Sequence, residues 1–175
     1  MVVEAVAERL EITFRRPLFR RYEIARGSGR SVSGVQSSIT LVKPLTYMNR
    51  SGDILASALR RSGAQIDELV VICDQLDLPP GTVRIKRGGS TAGHRGLESI
   101  SRALAGERFV RLYVGIGKPC SRDRVVDHVL GRADGAEAQR LRDGLRLAAD
   151  AVLRLAETTV EEAMNEFNQR GTHAS

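Results

Sequence analysis

The apolar positions of the first ten residues recur at helical spacing. Val3, Val6 and Leu10 share one face, with Val2 and Ala7 beside it, while Glu4, Glu8 and Arg9 face away. That pattern predicts an amphipathic helix, with no Ser, Thr, Asp or Asn cap ahead of it. Ile12 to Ile24 mixes apolar and Arg residues and predicts an extended strand. Arg26 to Gly34, RGSGRSVSG, predicts a turn or flexible loop. Ser37 to Lys43, SSITLVK, reads as a strand stopped by Pro44. SGDILASALRRSG reads as a short helix. Ser51 is its candidate cap, Ile54, Leu55, Ala58 and Leu59 its apolar face, and Gly63 its stop.

The second half repeats the alternation. ELVVIC, Glu68 to Cys73, is a continuous apolar run of the kind found in a strand covered on both faces. The loop DQLDLPPG separates it from a second strand, TVRIK, Thr82 to Lys86. A Gly-rich loop, Arg87 to Gly96, leads into a helix carrying Leu97, Ile100 and Leu104. FVRLYVGIG, Phe109 to Gly117, is a strand, and SRDRVVDHVLG a short helix. Ala136 to about Gln169 is helical in two pieces, with Leu141, Leu145, Ala148, Val152 and Leu155 on the buried face of the first. Strands alternating with helices predict an α/β domain with a largely parallel sheet. The chain reads as one domain over residues 1–170 with a disordered tail, 171–175.

Composition adds a partner to this picture. The net charge is +6 and the pI about 10.0, and the only lysines are Lys43, Lys86 and Lys118. Arginine suits bidentate phosphate contacts, so a polyanion is one reading and simple solubility the other. Two cysteines, Cys73 and Cys120, are too few for a disulfide framework, which points to a reducing cytosol. No apolar stretch is long enough to span a bilayer.

Three chemically capable features directly follow strands. Asn49 comes after SSITLVK, Asp74 after ELVVIC, and the loop bearing His94 after TVRIK. Sites in open α/β sheets collect at the carboxyl ends of strands, so the three share one rim if the strands run the same way. Asp74 is either a turn residue or a carboxylate that orients an imidazole. The Asn49 amide either serves a turn or holds a water or carbonyl oxygen. His94 is either a surface residue or part of a loop whose backbone N–H groups receive phosphate. Arg84, Lys86 and Arg87 are a solvated strand edge or a backbone-phosphate contact. No Walker A loop, G-x-G-x-x-G, H-E-x-x-H, paired C-x-x-C or G-x-S-x-G occurs, which argues against kinase, NAD-enzyme, zincin and α/β-hydrolase chemistry.

In order along the chain, KPLTYMNRSG, VVICDQLDLPPGTVRIKRGGSTAGHRGLESI, RLYVGIGKP, VVDHVLG and AMNEFN resemble successive blocks of the bacterial-type peptidyl-tRNA hydrolase family. The resemblance implies a single-domain three-layer α/β/α fold with a mixed, largely parallel sheet. It implies hydrolysis of the ester joining a peptide to the 3′-terminal ribose of tRNA, recycling tRNA in translation. It also implies a cytoplasmic monomer with tRNA as its partner and no metal, cofactor or membrane.

By motif match Asp74 takes the role of supporting a catalytic His. By the same match Asn49 takes the binding-Asn role, Tyr47 the neighbouring aromatic, His94 the loop histidine and Lys86 the phosphate contact, while Arg84 and Arg95 are further candidate tRNA contacts outside the match. The family places a strand and a G-L-G-N-P-G…T-R-H-N segment before the first helix, whereas this sequence opens at that helix. The resemblance therefore leaves the base His without a counterpart among His94, His128 and His173. It implies either a late-starting enzyme or a non-catalytic tRNA-binding paralogue. Arg95 stands where the family has Asn, Gln75 where it has an acidic residue, Ala92 where it has Gly, and Tyr113 where it has Arg.

Overall fold

A computed structural model describes residues 1–30, 36–106, 108–118 and 135–170. The helix predicted for SRDRVVDHVLG, Cys120, His128, His173 and the tail 171–175 lie outside the described residues.

The chain opens with α1 (Val2–Arg9), which buries Val2, Val6 and Ala7, while Val3 and Leu10 of the predicted face are half-buried. Two strands follow, β1 (Tyr22–Arg30) and β2 (Gln36–Pro44), paired antiparallel from Tyr22↔Pro44 to Arg30↔Gln36. The segment expected to be a loop at Arg26 is thus strand as far as Arg30. Local Gly and Ser content argues for a turn, but ladder bonds to β2 override it, and the Ile12 side chain closes over Gly27. Conversely, only the end of the Ile12–Ile24 run is strand. Arg15 and Ile24 exchange backbone hydrogen bonds, and a turn intervenes.

After β2 comes a 3₁₀ segment, Met48–Ile54, then α2 (Leu55–Ser62), ended by Gly63 in the left-handed conformation. Ser51 does not cap this helix. It is buried, and its hydroxyl donates to the Met48 carbonyl. The remaining elements are β3 (Val70–Gln75), β4 (Val83–Arg87), α3 (Arg95–Ala103), β5 (Val110–Gly115), α4 (Ala136–Glu157) and α5 (Val160–Arg170).

The sheet departs from the expectation of one largely parallel sheet. The described strands form a β1–β2 pair and a separate sheet of order β3-β5-β4. Of the three strand pairs, only β3–β5 is parallel, since β4 runs antiparallel to β5. Helices do lie on both faces. One core joins α1, α4 and α5 to the strands through Val6, Leu112, Val114, Ala148, Val152 and Phe167. A second places α2 and α3 against the opposite face through Leu55, Leu97, Ile100 and Phe109. Asn168 closes α5 onto β4 by exchanging hydrogen bonds with both backbone groups of Ile85, at 2.8 and 3.0 Å.

Among the described residues β3 has a strand on one side only, so it is an edge strand, yet both its faces are covered as its sequence suggests, Val70 and Ile72 in the first core and Val71 and Cys73 in the second. Val70, Val71 and Ile72 are half-buried, and Cys73 is buried. β2 likewise has a second edge without a strand partner. Ile39 and Leu41 of β2 share a core with Val70 and Ile72 of β3.

The 3₁₀ segment is seated on α3 at very close range. The Gly52 amide donates to Ser99 Oγ at 3.0 Å, and a Cβ at Gly52 would lie 2.3 Å from the Ser99 carbonyl oxygen. Backbone on both sides leaves no flexible atom to yield. Gly52→Ala is expected to lower stability by about 1–3 kcal/mol, the usual range for overpacking. A urea melt checks this; an unchanged midpoint would show the packing to be looser than described.

Candidate functional site

The first site element is a carboxylate. Asp74 lies inside β3, paired with Val114 of β5, and its side chain is about half exposed at the end of the strand. Its neighbour Cys73 is inert. Burial, followed by the adjacent Asp74 charge, pushes that thiol up to about 12, so it stays protonated near neutral pH.

His94 arrives by a route the sequence does not suggest. Because β4 is reversed, it ends beside the start of β5, with Arg87 opposite Val110, at the end of the sheet away from Asp74. The loop 88–93 must return across the sheet face to bring His94 to Asp74. Gly88, Gly89 and Gly93 adopt positive φ angles of 66°, 104° and 77° along this path. Ala92, where the resembling family has Gly, also turns left-handed at φ 47°, at a cost of roughly 1–2 kcal/mol for a residue with a Cβ. Arg111 of β5 grips the loop midway, its Nη1 donating to the Ser90 carbonyl at 2.6 Å.

His94 then caps α3. Its Nδ1 accepts from the Leu97 amide at 3.2 Å, satisfying one of the free N–H groups of the first turn. That contact places the ring proton on Nε2, which lies 3.6 Å from Asp74 Oδ1. The distance is long for a hydrogen bond and within ion-pair range. The Asp74 carboxylate raises the His94 pKa against the opposing effect of burial, and His94 in turn lowers that of Asp74.

The Asn49 segment meets the same corner. A Cβ at Gly96 would lie 2.6 Å from Met48 Sδ and 3.0 Å from His94 Cε1, so Met48 and the imidazole both rest against Gly96. Asn49 and Tyr47 flank Met48 and are exposed, Tyr47 at 77%. No hydrogen bond of the Asn49 amide is found among the described residues, which leaves it open to a ligand. Asp74 and His94 therefore meet although the premise of strands running the same way fails at β4, and Asn49 follows Met48, which packs at Gly96 beside them.

The cations fall into three groups. Arg84 and Lys86 are exposed on β4, directly opposite Tyr113 and Arg111 of β5. Among the described residues neither pairs with a carboxylate, and exposed Arg95 does not either. Arg87, which the sequence groups with them, is held 3.6 Å from Glu161 of α5. Arg111 is the residue that sequence reasoning missed. It is 3% exposed, stacks on the Phe109 ring, and leaves its buried Nε without a partner. Nothing marks it in sequence, since an Arg inside FVRLYVG reads as one outward position of a strand. Together the arrangement offers a carboxylate-supported imidazole, an unengaged amide and a cationic strand face, chemistry suited to an anionic substrate.

The comparisons with known proteins agree in kind. A family model described as peptidyl-tRNA hydrolase matches residues 1–175. The chain is similar to the peptidyl-tRNA hydrolase of Geobacillus kaustophilus, at 36% identity over 96% of this chain and 87% of that one. It is 42% identical to the peptidyl-tRNA hydrolase of Rubrobacter xylanophilus, over 92% of this chain and 87% of that one. Among solved structures, peptidyl-tRNA hydrolase from Acinetobacter baumannii superposes with a TM-score of 0.79 at 34% identity, covering 95% of this chain and 82% of that one. No described helix is long and apolar enough to cross a membrane.

The Asp74–His94 contact gives a pH prediction. The raised His94 pKa contributes stability that is present below the ordinary imidazole value of 6.5 and lost as pH rises through the folded value. The lowered Asp74 pKa contributes stability that is present above 3.8 and lost as pH falls through its folded value. The contact is thus fully effective between 3.8 and 6.5. In Asp74→Asn the His94 pKa is expected to fall, because the largest cause raising it is removed and burial then meets only the smaller effects of a backbone contact and the Glu98 charge. An NMR titration of the ring protons reads this directly; an unmoved His94 would dissociate the pair.

Proposed function

Because the chain belongs to the peptidyl-tRNA hydrolase family, we propose that the rim of Asp74, His94 and Asn49 is where it acts on the ester between a peptide and the 3′ end of tRNA. Asp74 orients an imidazole and stabilises its protonated form during attack by water. Tyr47 and Asn49 hold the acyl end of the substrate. Arg84, Lys86 and Arg95 take tRNA phosphate, a contact that positions without reading sequence. The observation that most supports this reading is the half-exposed Asp74 carboxylate at the end of β3, which holds the substrate-side imidazole of His94 at 3.6 Å. It sits at a rim whose nearby cations Arg84, Lys86 and Arg95 have no carboxylate partner among the described residues.

His94 as it stands is a poor base. Nδ1 is occupied by the Leu97 amide and Nε2 faces Asp74, so taking a proton from water requires releasing the helix cap. In our reading His94 is a substrate-side residue, and the base is a His carried on an additional strand that fills the edges of β2 and β3. Two features support this: those edges are unpaired among the described residues, and the relatives are longer than the spans they share with this chain. Unpaired buried backbone groups cost about 1–3 kcal/mol each, so seating a strand there is also stabilising.

The test is hydrolysis of an N-acetylated aminoacyl-tRNA. It compares residues 1–175 with a form extended at the amino terminus by a strand and His-bearing loop of the family type. The extended form is expected to be faster by 10²-fold or more, in the range of general acid–base catalysis. Asp74→Asn in that form should lose most of the gain. Full activity of residues 1–175 that disappears in His94→Ala would instead make His94 the base. Retained tRNA binding with no turnover by the extended form would favour a non-catalytic tRNA-binding role.

A further inference from the structure

The turn before β1 has no part in the site described above. Arg20 N donates to the Pro17 carbonyl and Arg16 Nε to the Arg20 carbonyl, both at 3.1 Å, so residues 16–20 form a closed turn. Its two central residues are Leu18, 80% exposed, and Phe19, 93% exposed. Phe19 has φ 57°, the left-handed conformation at a turn position that favours Gly or Asn. A bulky aromatic there is strained and gains no burial in return, so local folding does not account for it. Exposed Arg15, Arg16, Arg20 and Arg21 surround it, and among the described residues none is paired with a carboxylate.

The turn abuts the segment that carries the site. The Leu45 amide donates to the Arg21 carbonyl at 2.8 Å, and Leu45 leads through Thr46 to Tyr47 and Asn49. Leu45 and Met48 are also exposed, so the segment that leads from this turn to the site carries further apolar surface. An aromatic face among unpaired guanidinium groups fits a ligand that is itself a flat ring on an anionic backbone.

We propose that the Leu18–Phe19 turn is a second RNA contact, in which an unpaired nucleotide of the bound tRNA stacks on Phe19 while Arg16 and Arg20 hold its flanking phosphates. This rests on tRNA being the substrate. A bilayer is a less suitable partner, because two apolar side chains give little to insert.

The experiment measures binding of deacylated tRNA to the full chain by fluorescence anisotropy across a salt series. Phe19→Ala is expected to weaken binding about 5- to 100-fold, the range for loss of one stacked base. Phe19→Trp should restore it. Arg16→Gln and Arg20→Gln should each flatten the salt dependence by about one phosphate contact. Phe19→Gly should match Phe19→Ala in binding without loss of melting temperature, since glycine accepts this φ; a marked fall would make Phe19 structural and overturn the proposal. Unchanged affinity and salt slope in Phe19→Ala would overturn it while leaving the substrate intact. Failure of the unaltered chain to bind tRNA would overturn the substrate reading and this proposal together. Phe19-dependent binding to phosphatidylglycerol vesicles, with tRNA affinity unchanged, would assign the turn to a membrane instead.

Discussion

The reversal of β4 is the constraint on which the site depends. Had β4 run with β3, the Gly-rich loop would have opened at the rim and any short linker would have served. Antiparallel pairing instead delivers the chain to the far end of the sheet, and the loop must travel back. It does so because glycines accept left-handed angles and because Arg111 fixes the Ser90 carbonyl part-way. The return ends at an imidazole that caps α3 with one nitrogen and faces Asp74 with the other. Helix start, loop path and carboxylate partner are thus one mechanical unit, and disturbing any of them moves the others.

The electrostatics follow from the same geometry. β4 and β5 place Arg84 opposite Tyr113 and Lys86 opposite Arg111, which gathers positive charge on one sheet face. Arg111 is buried, with the Phe109 ring and carbonyl and hydroxyl oxygens for company rather than a carboxylate. A buried cation without a counter-ion is costly unless its field is used. Here it lies beneath the loop that precedes α3, so its charge adds to that of exposed Arg84 and Lys86 on the same sheet face. Tyr113, where the resembling family has Arg, removes one charge from this face and leaves Arg84 across from it.

The divided sheet sets how firmly this unit is supported. Among the described residues the β1–β2 hairpin is held to the rest by side chains rather than by strand pairing. Lys43 of β2 pairs with Glu4 of α1 at 2.9 Å and with Glu23 of β1 at 2.8 Å, and Ile39 and Leu41 enter the common core. Arg9 of α1 reaches Asp150 of α4 at 2.5 Å. Exposed ion pairs of this kind contribute little, so apolar packing carries the attachment. The 3₁₀ segment at Gly52 couples the hairpin's end to α3 more tightly, and that coupling seats Met48 at Gly96, against which the imidazole also rests.

Helix positions, the buried stripe of α1, the Gly63 stop and the α4–α5 division were legible in sequence, because each is fixed by contacts within a few residues. So were Asp74, Asn49 and His94 as candidates, since their residue types and places after strands are local properties. Strand direction was not legible: TVRIK has the same composition whichever way it runs, and only pairing with β5 decides it. Nor was the strand character of Arg26 to Arg30, where cross-strand bonds outweigh glycine content, or the exposure of one edge of β3. Arg111 escaped notice because burial belongs to the assembled sheet. The order of residues determined which groups were available. The tertiary structure alone decided which of them meet, because a hydrogen bond or ion pair depends on distances through space that sequence separation does not encode.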